Sequence, residues 1–516
     1  MKFSATAWSV CGLWVAVSLQ LAVADESTAK RNAQGGSTPS AEPSAASLAF
    51  TSTDSKVIAA RQMLDAGEFT RAEALLVARD ANEPSVSLEA LRAREELVDI
   101  IGRIRFEYSL DAEGLLAKIK KSIPDATAED VERWAQESGA RFRMIDGSKF
   151  FFRREPQNIF IFNEDAKKRR AVVGREPSSE KWPLTQHLAA IVAEAERTGK
   201  AEVLPVKHRV THTITIRKNH PAIKTGAKVR VWMPLAQEYR QQRDVKLIST
   251  SPEATLVAPS AVEGNPVTGA AQRTVYFEQT IADVNAPLVF KEVFEYTSFA
   301  YYPQLDEAKV EPLPADWNGA SLNERAPHIM FAPAIREQVA AIVGDETNPL
   351  VKARKIFRWV SVNIPWNAED EYCIIPSFAL KGFGARRGDC GVQNTVFITM
   401  CRIAGVPARW QSGFETKPGE AWGMHDWAEI YIAPWGWLPA DASYGLQKSE
   451  DPRVAEFYCG HQDSYRLIVN LDWGRELVPL KLSLRSEPAD FQRGEVEVDG
   501  KNLYYDAWEA KTEVER

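Results

Sequence analysis

Arg386-Arg387-Gly388-Asp389-Cys390-Gly391-Val392-Gln393-Asn394 leads into an apolar run that closes at Ala404-Gly405-Val406-Pro407. Val392, Val396, Met400 and Ile403 recur at helical spacing, while Phe397, Ile398, Cys401 and Ala404 fill the remaining sides. A helix that is apolar nearly all round is a buried helix. Gly405 suits its C-terminal cap, and Pro407 forbids it to continue. Cys390 therefore falls at the N-terminal end of a buried helix. The partial positive charge there favours a thiolate over a thiol.

The chain has 516 residues, room for about three domains of roughly 150 each. Its 63 basic and 70 acidic residues leave a net charge of -7, which gives no electrostatic footprint for nucleic acid. Lys2, an apolar run from Ala5 to Leu21 and Ala22-Val23-Ala24 before Asp25 have the layout of a secretory signal cleaved after Ala24. A secreted or periplasmic location follows, and no later stretch is long and apolar enough to span a bilayer. Cys11 leaves with the signal. Cys373, Cys390, Cys401 and Cys459 remain, too few for a disulfide scaffold and without the spacing of a zinc site. No cofactor or metal is expected. His208 and His212 share a strand face and His220 follows, but no fourth ligand accompanies them.

Residues 25–52 are rich in Ser, Ala, Gly and Pro and read as a flexible linker. Residues 55–195 read as a mainly helical or α+β N-terminal module. A long helix is expected over about 87–107, and Thr127-Ala128-Glu129-Asp130 reads as a capping box. Asp146-Gly147, between Phe142–Ile145 and Lys149–Phe152, marks a tight hairpin. Residues 200–305 carry short alternating strands of an antiparallel β-sandwich, among them 211–216, 229–233, 245–249, 274–278 and 290–296. The cysteine helix belongs to a domain over 333–470, and 471–516 reads as a strand-rich extension.

A thiol nucleophile needs a base, and the base an orienting group. Only His425 and His461 follow Cys390. His425 lies at the start of an alternating strand, with His425, Trp427, Glu429 and Tyr431 on one face and Asp426 on the other. Pro434-Trp435-Gly436 turns the chain, and 437–443 returns as a second strand. In such a hairpin the start of the first strand meets the end of the second, which brings His425 to Asp441. His461, in an irregular segment, is the alternative base; Asp426 and Asp463 are alternatives to Asp441. Asp389 suits a turn or cap. Trp422, Trp427, Trp435 and Trp437 near the histidine read as core, with a groove for an extended chain as the other option.

Gly-Asp-Cys at a buried helix start, Gly-Val-Pro-Ala-Arg after it, His-x-Trp-Ala-Glu on a strand and then Asp-Ala-Ser resemble the core of the transglutaminase-like superfamily. The resemblance covers roughly residues 335–470. It implies a papain-like α+β core, here preceded by the sandwich and the helical module, with Cys390 as nucleophile, His425 as base and Asp441 as orienting acid. It also implies an upstream indole, for which Trp359 and Trp366 are the candidates. Asp463 and Arg466 resemble the tail of the bacterial core. Animal crosslinking members carry Trp directly after the cysteine; here Gly391 stands there, and no calcium loop is recognisable. Hydrolysis of amide bonds in a protein, peptide or glycopeptide substrate is therefore expected over transamidation. The alternative is a non-catalytic binding or scaffolding protein built on the same core.

Overall fold

In a computed structural model the described residues are 48–78, 86–172, 182–218, 220–261, 270–315, 317, 319–418 and 423–515. The signal-like run and most of the linker lie outside them. The element around which the site is built is the helix Cys390–Ile403, buried on all sides along most of its length. Asp389 caps it by accepting from Val392 N at 3.1 Å. Gly405, at φ +80°, ends it with a backbone conformation that a side chain disfavours.

The helix packs on a four-stranded antiparallel sheet. Its order is Gly436–Ala440, Gly423–Ile432, Ala408–Glu415, Arg466–Asn470. Ala428, Ile430 and Ile432 share the core of Val392, Val396, Phe397 and Met400. These alternate residues carry the face that meets the helix, and Asp426 has their parity. Trp427 lies on the opposite face, packed with Tyr239, Ile468 and Leu471. Both faces of this sheet are therefore covered.

The sandwich pairs a sheet of order Lys501–Leu503, Glu495–Val498, Lys228–Pro234, Thr274–Thr280, Leu256–Val257 with one of order Trp508–Glu515, Glu202–Ile216, Leu288–Tyr301, Gln242–Ser251. Three of these strands come from the last 22 residues. The stretch expected as an extension thus supplies strands to both sheets, with Glu495–Val498 beside Lys228–Pro234 and Trp508–Glu515 along Glu202–Ile216. Long-range backbone pairing decides this, and no local pattern announces it. Phe414, Leu467 and Val469 of the helix-bearing sheet enter the sandwich core alongside Val231, Phe277 and Phe290. His212 sits between Thr512 Oγ1 and the Arg493 carbonyl, and His208 stacks on Tyr296 at 4.8 Å, so both are core histidines.

The N-terminal module contains the helix Leu88–Glu107 behind Ser87, the capping box at Thr127, and the hairpin Phe142–Ile145/Ser148–Phe151. One of its cores, built on Val57, Leu97, Ile101 and Phe152, also takes in Ala368, Cys373 and Ile374. Those three belong to the loop that leads to the cysteine helix.

Candidate active site

Cys390, Cys373, Cys401 and Cys459 are free thiols, and Cys390 alone among them is not buried. Its Sγ donates to Asp426 Oδ2 at 3.4 Å. The expectation of an ionised thiol at the helix start is corrected by this environment. Burial pushes the thiol well above its ordinary range, and the Asp426 and Asp389 carboxyls push it further. The helix terminus is present, but burial and the neighbouring carboxyls outweigh its partial charge.

His425 Nε2 lies 2.7 Å from Asp441 Oδ2, and its Nδ1 lies 3.4 Å from Glu415 Oε1. The hairpin does this: Ala428 pairs with Ala440, so the strand ends project His425 and Asp441 towards each other. Burial alone would raise the Asp441 carboxyl. His425 and Arg466, whose Nη2 is 3.0 Å away, overcome it and hold the group well below the usual carboxylate range. Backbone N–H groups of Ser443 and Tyr444 donate to Asp441 Oδ1 at 3.2 and 3.1 Å. The Arg466 guanidinium is itself buried, 4.3 Å from the Tyr444 ring centroid.

Asn394, one turn into the helix, ties these parts together. Its Nδ2 donates to the Cys390 carbonyl at 3.0 Å, to the Asp426 carbonyl at 2.9 Å and to Asp441 Oδ1 at 3.5 Å. Its Oδ1 accepts from Ala442 N at 2.9 Å. One side chain thus fixes the cysteine's helix against both sides of the hairpin. Its i+4 spacing from Cys390 was the available signal in the sequence.

Tyr372 is the residue that sequence reasoning missed. Its hydroxyl lies 2.9 Å from Asp426 Oδ2 and 3.0 Å from Asp389 Oδ1, and accepts from Gly391 N at 3.1 Å. A Cβ on Gly391 would fall 2.1 Å from that oxygen and 2.7 Å from Trp410. The position where crosslinking enzymes carry Trp is filled here by Tyr372. Burial is the main reason the Asp426 carboxyl is raised to about 6. Burial with Glu369 and Asp426 nearby raises Asp389 to about 8.

The other candidates have other partners. His461 bridges the Phe457 and Pro303 carbonyls, at 3.1 Å each, and stacks on Tyr302. Asp463 accepts from Tyr458 and Arg466 and so supports Asp441 from behind. Trp359 stacks on Phe383, and Trp366 makes a backbone bridge to Gly388. Trp427 donates to Gln411, and Trp422 lies outside the described residues. Among the described residues no group of three or more His, Cys, Asp or Glu is arranged to hold a metal.

Residues 336–442 match the transglutaminase-like superfamily. This transglutaminase-like segment spans the cysteine helix, His425 and Asp441. An uncharacterized protein of Haemophilus influenzae is 30% identical over 139 residues, covering 23% of this chain and 38% of that relative. The chain thus spans well under half of that relative's length. A proposed cysteine protease from Cytophaga hutchinsonii is 15% identical, with a TM-score of 0.39 over 61% of this chain and 91% of its own. The periplasmic domain of TgpA from Pseudomonas aeruginosa is 14% identical, with a TM-score of 0.23 over 48% of this chain and 90% of its own.

Proposed function

We propose that this protein is an exported cysteine-dependent enzyme that cleaves amide bonds in a protein, peptide or glycopeptide by acyl transfer to Cys390. The observation that carries the reading is the 2.7 Å contact between His425 and Asp441 in a site whose cysteine heads a buried helix. The match of residues 336–442 to the transglutaminase-like superfamily supports it. Export rests on the N-terminal apolar run.

Nε2–H donates to Asp441, which leaves Nδ1 as the basic nitrogen. Two contacts then have to be exchanged when substrate enters: the thiol leaves Asp426, and Nδ1 leaves Glu415. Nδ1 takes the thiol proton as sulfur bonds to the carbonyl carbon. The C–N bond breaks as the imidazolium protonates the departing amine. Water, deprotonated by the same nitrogen, attacks the thioester, and the sulfur–carbon bond breaks to regenerate the thiol. The Cys390 N–H at the helix start is a donor for the developing oxyanion.

The thiol's hydrogen bond to a carboxyl favours a second reading, a binding protein on an unreactive core. Alkylation with mass-spectrometric mapping separates the two. The enzyme labels Cys390 ahead of its three buried cysteines even though the resting thiol is held protonated, and that signal disappears in Cys390→Ala. Uniformly slow labelling of all the cysteines supports the binding protein. Incubation with a peptide and a labelled amine then tests hydrolysis: free acid is expected, and amine incorporation overturns the preference.

A further inference from the structure

The segment Ala368–Cys373 is held almost entirely by charged and polar groups from outside its own domain. Arg141 donates to the Ala368 carbonyl at 2.6 Å, pairs with Glu369, and lies 3.3 Å from Asp370. Arg154 donates to the Glu369 carbonyl, and Arg153 lies 3.3 Å from Glu371. Tyr108 donates to Asp370 at 3.0 Å. Buried Asn158 treats Ala368 as a strand would, accepting from its N–H at 2.8 Å and donating to its carbonyl at 3.1 Å. All five side chains belong to the N-terminal module. Lys381 and Arg493 complete the grip from the other side, at 2.7 Å from Glu369 and 2.6 Å from Glu371. The next residue is Tyr372, whose hydroxyl stands at the start of the nucleophile helix. Closer to the cysteine along the chain, Arg387 donates to the module's Ser138 carbonyl at 3.1 Å.

We propose that the N-terminal module is a working part of this site: through Arg141, Arg153 and Arg154 it grips the acidic segment Glu369–Glu371 and so seats the Tyr372 hydroxyl between Asp426 and the Gly391 N–H. Arg141 and Tyr372 are positioning residues that set the reactivity of Cys390. Arg141, whose ion pairs are largely buried and which also binds a carbonyl, fixes the loop's geometry far better than exposed pairs do. A hydroxyl held at 2.9 Å from the carboxyl that accepts the thiol's hydrogen bond favours that carboxyl's charged form. It also covers one of the helix's free N–H groups.

The inference rests on Cys390 being the reactive thiol, and the test reads that thiol with no substrate. Full-length protein is labelled with iodoacetamide at pH 7.5, and the rate at Cys390 is followed by mass spectrometry. Tyr372→Phe uncovers the Gly391 N–H and removes a donor from Asp426, and both favour thiolate. Labelling is expected to quicken at least fivefold. Arg141→Gln is expected to quicken it by a similar factor, Arg141→Lys by less. The double variant should label no faster than Tyr372→Phe alone, because the arginine acts through the tyrosine. Factors that multiply in the double variant, or an Arg141→Gln rate within twofold of the parent, overturn the proposal. Where Arg141→Gln melts below the assay temperature, Arg141→Lys takes its place in the cycle. Failure of Cys390 to label in the parent protein, by contrast, refutes the enzymatic reading itself.

Discussion

At the scale of single residues the site is defined by which carboxyl keeps its charge. Asp441 is held below its ordinary range by His425 and Arg466 against the cost of burial. Asp426 and Asp389, on the sulfur's side, are raised to about 6 and about 8. Their signs for stability are opposite. A depressed acid contributes stability above its unfolded pKa, near 4, and loses it as pH falls through the folded value. A raised acid costs nothing below the unfolded pKa. Its penalty grows as pH rises from there and levels off above the folded value. Asp389→Asn isolates the second case, since asparagine caps the helix equally well. The variant should melt higher than the parent at pH 8, with a gain on the order of a few kcal/mol, and within a degree or two of it at pH 4. Thermal melts at the two pH values check this; an equal shift at both refutes the assigned titration.

Secondary-structure elements carry the part of the site that was legible in the sequence, and they also mark where legibility ended. The meeting of His425 and Asp441 follows from a strand period of two and the Pro434-Trp435-Gly436 turn, both local properties. The parity of Asp426 was equally plain. Which face of the strand meets the helix was not. Both faces are buried, so polarity along the strand carries no sign of the side on which the cysteine lies. Asp426 at the thiol is therefore a tertiary fact. Tyr372 was hidden for a different reason: it comes from a short 3₁₀ turn, Tyr372–Ile374, fixed by ion pairs from distant segments rather than by periodicity. Gly391 is the one sequence feature that points to it, because the ring occupies the space of any side chain there. Gly391→Ala is expected to cost about 1–3 kcal/mol, as overpacking in a buried site does. In a double-mutant cycle read by denaturant melts, Gly391→Ala should cost much less in a Tyr372→Ala background than in the parent. If the single change melts like the parent, the close approach does not exist.

For the whole molecule, the consequence is that neither module bordering the transglutaminase-like segment is a detachable neighbour. The sandwich takes strands from residues 495–515, so its sheets close only after those residues are made. Phe414 and Leu467 join its core to the sheet that bears His425. Gln492, just before the first of those late strands, donates to the His425 carbonyl and to Asp426 Oδ1, each at 3.1 Å. Arg493 beside it grips Glu371. A chain ending at residue 470 therefore loses three sandwich strands and three contacts that hold the His425 strand and the Glu371 loop. The lost strands leave unpaired edges along 228–234 and 202–216, and exposed edges of that length promote aggregation. The truncated chain is expected to be insoluble or to bind a hydrophobic dye strongly, and to label all its cysteines at similar rates. Recovery of a soluble, cooperatively melting 48–470 chain with selective labelling at Cys390 would show that the site is assembled without its C-terminal strands.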